Sequence, residues 1–215
     1  MKLRFVLPVL AVLTLLETPG AAQYARTADD RLKQAWENNR VRLSRIAVEP
    51  GATLPAGARA DRVLVYLTAD QDGRMPAAEA VWLPAGSGDV LNRGRARLEA
   101  IAIELKDPAA GASEGTPPEA LRASDAEEIS TLVDNPRVLV TKHRYAASTY
   151  VDPLHFHSQD MLVVYLRGGY TWAAAGGWGA YQVRRGEVDV IPANTLHTLG
   201  NAGADPLEFL VILPR

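Results

Sequence analysis

The chain has 215 residues, of which 47% are hydrophobic and 22% are charged, a composition typical of one globular domain or two small ones. The formal net charge is -2, which leaves no basic surface of the kind that binds nucleic acid. There is no cysteine, so disulfides and thiolate metal sites are excluded. Any metal must be held by nitrogen, by oxygen or by one of three methionines.

The first 22 residues have the three parts of a secretory signal peptide. A short basic start at 1–4 precedes an apolar run at 5–16, and small residues up to Ala22 suit a cleavage site. The apolar run is shorter than the roughly 20 residues that a membrane-spanning helix needs. We therefore interpret 1–22 as a cleaved signal and the protein as periplasmic or secreted, without a membrane span. An uncleaved N-terminal anchor is the alternative.

The region 23–106 carries the first set of predicted elements. Residues 24–39 suit a short helix. Alternating or β-branched composition then predicts four strands, at 41–48, 63–67, 79–83 and 97–105. Short strands separated by Gly and Pro turns are typical of a sandwich or barrel.

A change of composition divides the chain near its middle. Residues 107–120 are rich in Pro, Gly, Ala and Ser, which predicts a linker, and 119–132 suit one helix. We interpret 107–130 as a linker with a short helix. The strand pattern then restarts, at 137–145, 160–167, 171–174, 180–184, 187–191 and 207–213.

The two halves of the chain repeat each other. Three matches occur in the same order: 61–67 with 160–166, 81–85 with 189–193, and Asn92-Arg93-Gly94 with Asn201-Ala202-Gly203. The offset grows only from 99 to 109 residues between the first match and the last. Chance could supply one such match, but three in order indicate duplication.

Three of the four histidines lie in two short stretches of the second half. His155 and His157 are two apart, so on a strand leading into 160–167 they would share one face. His197, from another strand, could close a metal site. Three neutral imidazoles on a rigid sheet suit zinc, copper, iron or nickel. His143 is left out, because a lone histidine is more often exposed or hydrogen-bonded than ligating.

The first of these stretches resembles a cupin motif. That motif usually has His-x-His, then Glu, then a strand and Gly. Here His155 and His157 are followed by a strand to Leu166 and by Gly168. The position of the glutamate is filled by Met161.

The second stretch resembles the other cupin motif, in which Gly, Pro-x-Gly, His and Asn follow one another at fixed spacing. Here the corresponding residues are Gly186, Pro192, Asn194, His197 and Asn201. Only the second glycine is changed, and asparagine tolerates the left-handed backbone conformation better than most residues.

The whole mature chain resembles a bicupin, which implies an all-β fold of two antiparallel cupin (jelly-roll) barrels with short flanking helices. The implied domains are a degenerate N-terminal barrel at 23–106 and a metal-binding C-terminal barrel at 131–215. The first half contains no histidine, since all four lie after residue 142, and the positions aligned with the motif histidines lie near Ala56, Ala58 and Asp89. The implied role of the first half is structural.

The resemblance implies a divalent transition metal held by His155, His157 and His197, with iron, copper, manganese and zinc all open. Gln159 and Met161 share the histidines' face if the strand is regular, so they are candidate additional pocket residues. A Met161 thioether on the metal would favour copper. The alternative is that Met161 fills the barrel wall.

Two classes of function fit this site. The first is a metal-dependent, dioxygenase-like enzyme that acts on a small molecule, although no catalytic side chain beyond the ligands stands out. The second is a non-enzymatic cupin of the cell envelope that holds a small ligand or a metal. A zinc site that only stabilises the fold would need four protein ligands. A homodimer is compatible with either class.

Overall fold

The computed structural model describes residues 25–26, 36–54, 60–68, 77–87, 89–106, 127–149, 153–174 and 178–215. These residues form sixteen β-strands and no helix. The strands are β1 Ala25–Arg26, β2 Trp36–Glu37, β3 Val41–Val48, β4 Thr53–Leu54, β5 Asp61–Tyr66, β6 Ala80–Leu83, β7 Val90–Leu91, β8 Leu98–Leu105, β9 Glu127–Asn135, β10 Val138–Tyr145, β11 Met161–Tyr165, β12 Gly169–Ala174, β13 Trp178–Val183, β14 Val188–Ile191, β15 Leu199–Asn201 and β16 Leu207–Pro214.

The expected signal peptide at 1–22 lies outside the described residues. Within the described ranges, no helix has the length and apolar character that crossing a membrane requires.

The strands of the C-terminal half form two antiparallel sheets, and β1 from the N-terminal segment joins the edge of the larger one by pairing with β14. The larger has the strand order β1-β14-β11-β16-β10-β9, and the smaller has the order β13-β12-β15. Among the described strands, hydrogen bonds do not close these sheets into the barrel that the resemblance implies. An apolar cluster fills the interior instead, with contributions from both sheets such as Phe209 and Leu199. The two sheets thus enclose one apolar interior.

Strand β11 shows why the central strands are apolar throughout. Met161, Val163 and Tyr165 pack into the interior cluster of the C-terminal half, whereas Leu162 and Val164 pack on the opposite face. Successive side chains in a strand point to opposite faces, and both faces of this strand are buried. The run is therefore continuously apolar rather than alternating.

The N-terminal half has a five-stranded sheet, β2-β3-β8-β5-β6, and a separate pair, β4-β7. Its larger sheet repeats the order β9-β10-β16-β11-β14 of the other half. The registers also agree. Val63 pairs with Ile103, and the residues at the offsets found in the sequence, Leu162 and Ile212, pair in the same way. This shared topology supports the interpretation of a duplication.

Two asparagines reproduce the same hydrogen bonds in the two halves. Asn92 and Asn201 each donate from Nδ2 to the carbonyl oxygen four residues later, at 2.9 and 2.8 Å. Each also accepts at Oδ1 the backbone N–H two residues later, at 3.0 and 2.8 Å. Both side chains are buried, so each satisfies backbone groups that water does not reach.

We expect Asn92→Ala and Asn201→Ala each to lower the free energy of unfolding by about 2–3 kcal/mol, because buried carbonyl groups lose their donors. Urea unfolding of the purified variants measures this. Asn39→Ala is the matched control, because Asn39 is exposed and should change stability by less than about 0.5 kcal/mol. Losses at both buried positions no larger than that of the control would contradict the expectation.

The expected flanking helices are wrong wherever their residues are described. Trp36–Glu37 forms β2 and pairs with β3, and 127–132 belongs to β9, which pairs along β10 with a bulge between Val140 and Thr141. Strand partners satisfy the backbone there, so tertiary pairing overrides local helix propensity. Residue 24, residues 27–35 and all of 107–126 lie outside the described residues.

The two large sheets pack face to face through one shared apolar core. Nine buried side chains come from each half. They are Val41, Leu43, Val63, Val65, Leu67, Ala80, Ile101, Ile103 and Leu105 from the first half, and Val138, Val140, Leu162, Val164, Leu166, Val188, Val190, Leu210 and Ile212 from the second. Each half also has its own interior cluster on the far face of its sheet.

Candidate metal centre

Two of the three predicted ligands lie directly opposite each other. His155 and His197 form an antiparallel bridge, in which the N–H of His155 donates to the carbonyl of His197 at 2.9 Å and the reverse bond measures 2.8 Å. Directly opposed residues in an antiparallel pair project from the same face. The backbone alone therefore brings these two imidazoles together.

A tight turn brings in the third ligand. The turn runs from Pro192 to Thr195, and Asn194 has a positive φ of 61°. The left-handed conformation expected at this asparagine is confirmed. The N–H of Asn194 donates to the carbonyl oxygen of His157 at 2.7 Å. The turn that precedes His197 thus also fixes the backbone of His157.

The prediction that His155 and His157 stand on one regular strand is wrong. Only His155 takes part in β-pairing, and bends at Ser158 and Gln159 separate His157 from the start of β11 at Met161. The physical reason is the turn just described, which occupies the carbonyl group of His157. The alternation argument therefore does not extend from His157 to Met161.

The three imidazoles nevertheless converge. Their ring centroids are 4.4 to 5.2 Å apart, and one ligand nitrogen from each lies within 4.8 Å of the others. The Nε2 atoms of His155 and His157 are 3.2 Å apart. Two nitrogens bound at about 2.0–2.1 Å to one tetrahedral ion would be separated by about 3.3 Å. The spacing therefore fits two ligands of a single metal.

Backbone carbonyls orient two of the rings. His155 Nδ1 lies 2.8 Å from the carbonyl oxygen of Pro153, and His197 Nδ1 lies 2.8 Å from that of Thr195. A carbonyl oxygen only accepts, so each Nδ1 carries the proton and each Nε2 keeps its lone pair in the neutral ring. Carbonyl contacts of this kind typically fix the tautomer of a metal-binding histidine.

Burial favours the neutral form of two of the three imidazoles. Burial lowers the pKa of His157 from 6.5 to about 4, and the neighbouring His155 and His197 add to the effect. Burial likewise lowers the pKa of His197 to about 4, although its hydrogen bond to Thr195 opposes the shift. His197 Nε2 is buried without a hydrogen-bond partner among the described residues. A buried lone pair of this kind fits a metal ligand, because an unpaired polar atom is otherwise costly.

These pKa shifts predict the pH dependence of the metal-free protein. Unfolded histidines take up protons near pH 6.5, whereas folded His157 and His197 do so only near pH 4. The free energy of unfolding should therefore fall as the pH drops from 6.5 toward 4 and should be insensitive to these groups above that window. Denaturant unfolding at several pH values measures the slope. His157→Gln should flatten it, and an unchanged slope would contradict this explanation.

Gln159, Asp160 and Met161, which follow the histidine pair in the chain, make packing contacts or hydrogen bonds to other residues. Met161 is buried in the interior cluster, which favours its role in the wall. Gln159 is also buried, and its Oε1 accepts a hydrogen bond from Ser158 Oγ at 2.9 Å. Both carboxylate oxygens of Asp160 accept hydrogen bonds, from Asn38 Nδ2 at 2.8 Å and from the N–H of Ala193 at 2.9 Å. Whether Gln159 or Met161 touches a metal remains a prediction.

His143, which the sequence analysis leaves out, belongs to a separate polar network. Its Nδ1 lies 2.9 Å from Glu127 Oε1, its Nε2 lies 2.8 Å from Thr141 Oγ1, and its ring stacks on Phe209. It is not part of the three-histidine group. The alternation of β10 places residues 141 and 143 on one face, so the contact between these two side chains could have been predicted from the sequence. The contact with Glu127 depends on strand pairing that the sequence does not reveal.

Comparisons with known proteins agree with this architecture. Residues 142–213 match the Cupin domain family. No curated protein sequence matches the chain. The cupin 2 conserved barrel domain protein from Leptotrichia buccalis is 17% identical and superimposes with a TM-score of 0.54 over 92% of each chain.

Two further solved structures are similar. The oxalate decarboxylase of Bacillus subtilis, a protein with Mn(II) centres, has 11% identity and a TM-score of 0.58, covering 82% of this chain and 69% of its own. The salicylate 1,2-dioxygenase of Pseudoaminobacter salicylatoxidans in complex with gentisate has 9% identity and a TM-score of 0.60, covering 81% and 69%. At such identities the likeness shows the fold alone.

Proposed function

We propose that this chain is an exported bicupin that binds one divalent transition-metal ion through His155, His157 and His197. The match of residues 142–213 to the Cupin domain family supports this proposal. In this proposal 23–106 is a degenerate cupin unit and 131–215 is the metal-binding unit. The observation that carries it is the convergence of three imidazole nitrogens around the buried, unpartnered Nε2 of His197.

The donor set supports an open site rather than a closed one. Among the described residues, the convergent group contains three histidines and no carboxylate, and the oxygens of Asp160 are already engaged. Three protein ligands leave coordination positions for a small molecule or water, as in catalytic metal sites, whereas structural zinc sites have four. A bound metal would supply Lewis-acid or redox chemistry at these positions.

The protein's own contribution would be orientation and exclusion of water. The carbonyl groups of Pro153 and Thr195 hold two rings so that Nε2 faces the site. Buried side chains such as Met161 and Leu199 form an apolar interior beside it, which strengthens electrostatic interactions with a bound substrate. We propose a dioxygenase-like reaction on a small molecule, with iron, copper, manganese or zinc as candidate ions. The dioxygenase and the Mn(II) protein among the similar structures support this choice.

The alternative is a binding protein without catalysis. It is favoured because, among the described residues, the three-histidine group contains no carboxylate that could act as a base, and Glu127 belongs to the separate network of His143.

Two measurements on the purified chain test the proposal. Elemental analysis should find close to one transition-metal ion per chain. Titration of the Cu(II)- or Fe(III)-loaded protein with azide should change the visible absorption spectrum, because an exogenous ligand enters an open position. Failure to bind any of the candidate metals would overturn the metal site. A loaded protein that azide does not perturb would overturn the open site and leave a structural metal.

A further inference from the structure

Each large sheet carries one equivalent row of side chains across its inner face, the face turned away from the shared core. In the C-terminal half this row is apolar and buried, and it consists of Leu139, Leu213, Met161 and Ile191. Such a composition is expected for the wall of a closed interior.

The equivalent row of the N-terminal half is charged. Glu104 on β8 is flanked by its two cross-strand partners, Arg42 on β3 and Arg62 on β5. Leu83 on β6 pairs with Arg62 from the opposite side of β5. The offset of 99 residues that relates β5 to β11 places Arg62 at the position of Met161. A fixed cation therefore replaces a thioether at this position of the half that has no histidine.

The Arg62 guanidinium is buried, and among the described residues it forms no ion pair. The residue is only 5% exposed, and its Nη2 is buried with no hydrogen-bond partner among the described residues. Its neighbour Glu104 forms an ion pair with Arg42 instead, at 3.5 Å, and Glu37 pairs with Arg42 and Lys106. These two cations and two carboxylates cancel, so within this group of described residues Arg62 carries the excess charge. A buried, unpaired guanidinium is costly unless an anion accompanies it.

The interior cluster on the face of Arg62 is apolar and combines large side chains, such as Tyr66 and Leu98, with two alanines. Arg62 shares its face with Leu64, and the facing positions of β8 are Ala100 and Ala102. The offset of 109 residues places Phe209 and Val211 at the corresponding positions of the other half. The first half has thus exchanged two larger side chains for alanine on the face to which Arg62 belongs.

We infer that the interior of the N-terminal half is a binding site for a short aliphatic monocarboxylate, anchored by Arg62. The planar guanidinium forms two parallel hydrogen bonds with a carboxylate, and the single excess charge matches a monoanion. A doubly charged phosphate would require a second free cation. The apolar lining accepts the hydrocarbon end of the ligand. This site is separate from the three histidines and does not depend on a metal.

The test is calorimetric titration of the purified full chain with sodium propionate at constant ionic strength, with phosphate as the competing anion. Saturable binding of one propionate per chain is expected. Arg62→Met should weaken binding by at least about tenfold, because a charged hydrogen bond is lost. This variant should fold, since methionine occupies the equivalent position of the other half. Arg62→Lys keeps the charge but loses the planar guanidinium that donates two parallel hydrogen bonds, so its affinity for propionate should be intermediate.

Arg97→Met is the matched control, because Arg97 is 57% exposed and pairs only with Glu49 among the described residues. It should bind propionate like the unaltered chain. The inference is overturned if the unaltered chain shows no saturable propionate binding, if it prefers phosphate, or if Arg62→Met binds as well as Arg97→Met. Metal content measured on the same samples should be equal throughout, so the outcome is distinct from that for the histidine site.

Discussion

Replacing His157 or His197 by alanine is expected to lower transition-metal affinity by more than about a hundredfold, since even changes around a metal ligand cost tenfold to a hundredfold. Each substitution removes one of only three convergent nitrogens. Elemental analysis after dialysis, together with competition against a chromophoric chelator, measures the loss. Both variants should remain folded at neutral pH, because removing these imidazoles breaks no strand pairing.

The matched control for this experiment is His143→Gln. His143 is also part-buried and hydrogen-bonded, but it is not in the convergent group. Its replacement should leave metal stoichiometry unchanged while reducing stability through Glu127. Equal metal loss in all three variants would show that the effect comes from general destabilisation, and the three-histidine assignment would then fail.

Phe209→Ala is expected to destabilise the protein by about 3–5 kcal/mol, the usual range for deleting a buried phenyl ring. Phe209 is buried at the centre of the C-terminal interior. It stacks on His143 with centroids 5.2 Å apart and meets the edge of Tyr145 at 4.8 Å. Aromatic pairs in these geometries contribute beyond the area that they bury. Urea unfolding of the metal-free protein measures the change.

Phe156→Ala is the natural comparison. Phe156 lies between two of the candidate ligands but is 62% exposed, so its removal should cost less than about 0.5 kcal/mol. If the two phenylalanine substitutions had similar effects, the assignment of Phe209 to the interior core would be contradicted.

The strands of this protein were largely predictable because their apolar runs are uninterrupted. Strand β3 has the predicted bounds, Val41–Val48, and β10 and β16 differ from their predictions by one residue. Short strands such as β4 and β15 were not found, since two or three residues carry no periodic signal. Strand β9 was mistaken for part of a helix, because its polar composition reflects an exposed edge and only its partner β10 fixes it as a strand.

The three histidines were predictable as a group, but their local structure was not. Spacing along the chain identified His155, His157 and His197, and the structure brings them together. The assumption of a regular strand failed at Ser158 and Gln159, where a turn more than thirty residues away dictates the backbone. The buried Arg62 could not be recognised either, because only the strand registers of both halves show that it is equivalent to Met161.

The shared core between the two large sheets has a consequence for how such a chain can change over generations. The N-terminal half contains no imidazole, and the eighteen side chains of the shared core do not depend on one. The N-terminal half itself cannot be lost, because the C-terminal half would then expose nine apolar side chains of the shared core to water. The shared core, rather than any metal chemistry, therefore retains the N-terminal half, so the side chains of its interior can vary without disturbing that core.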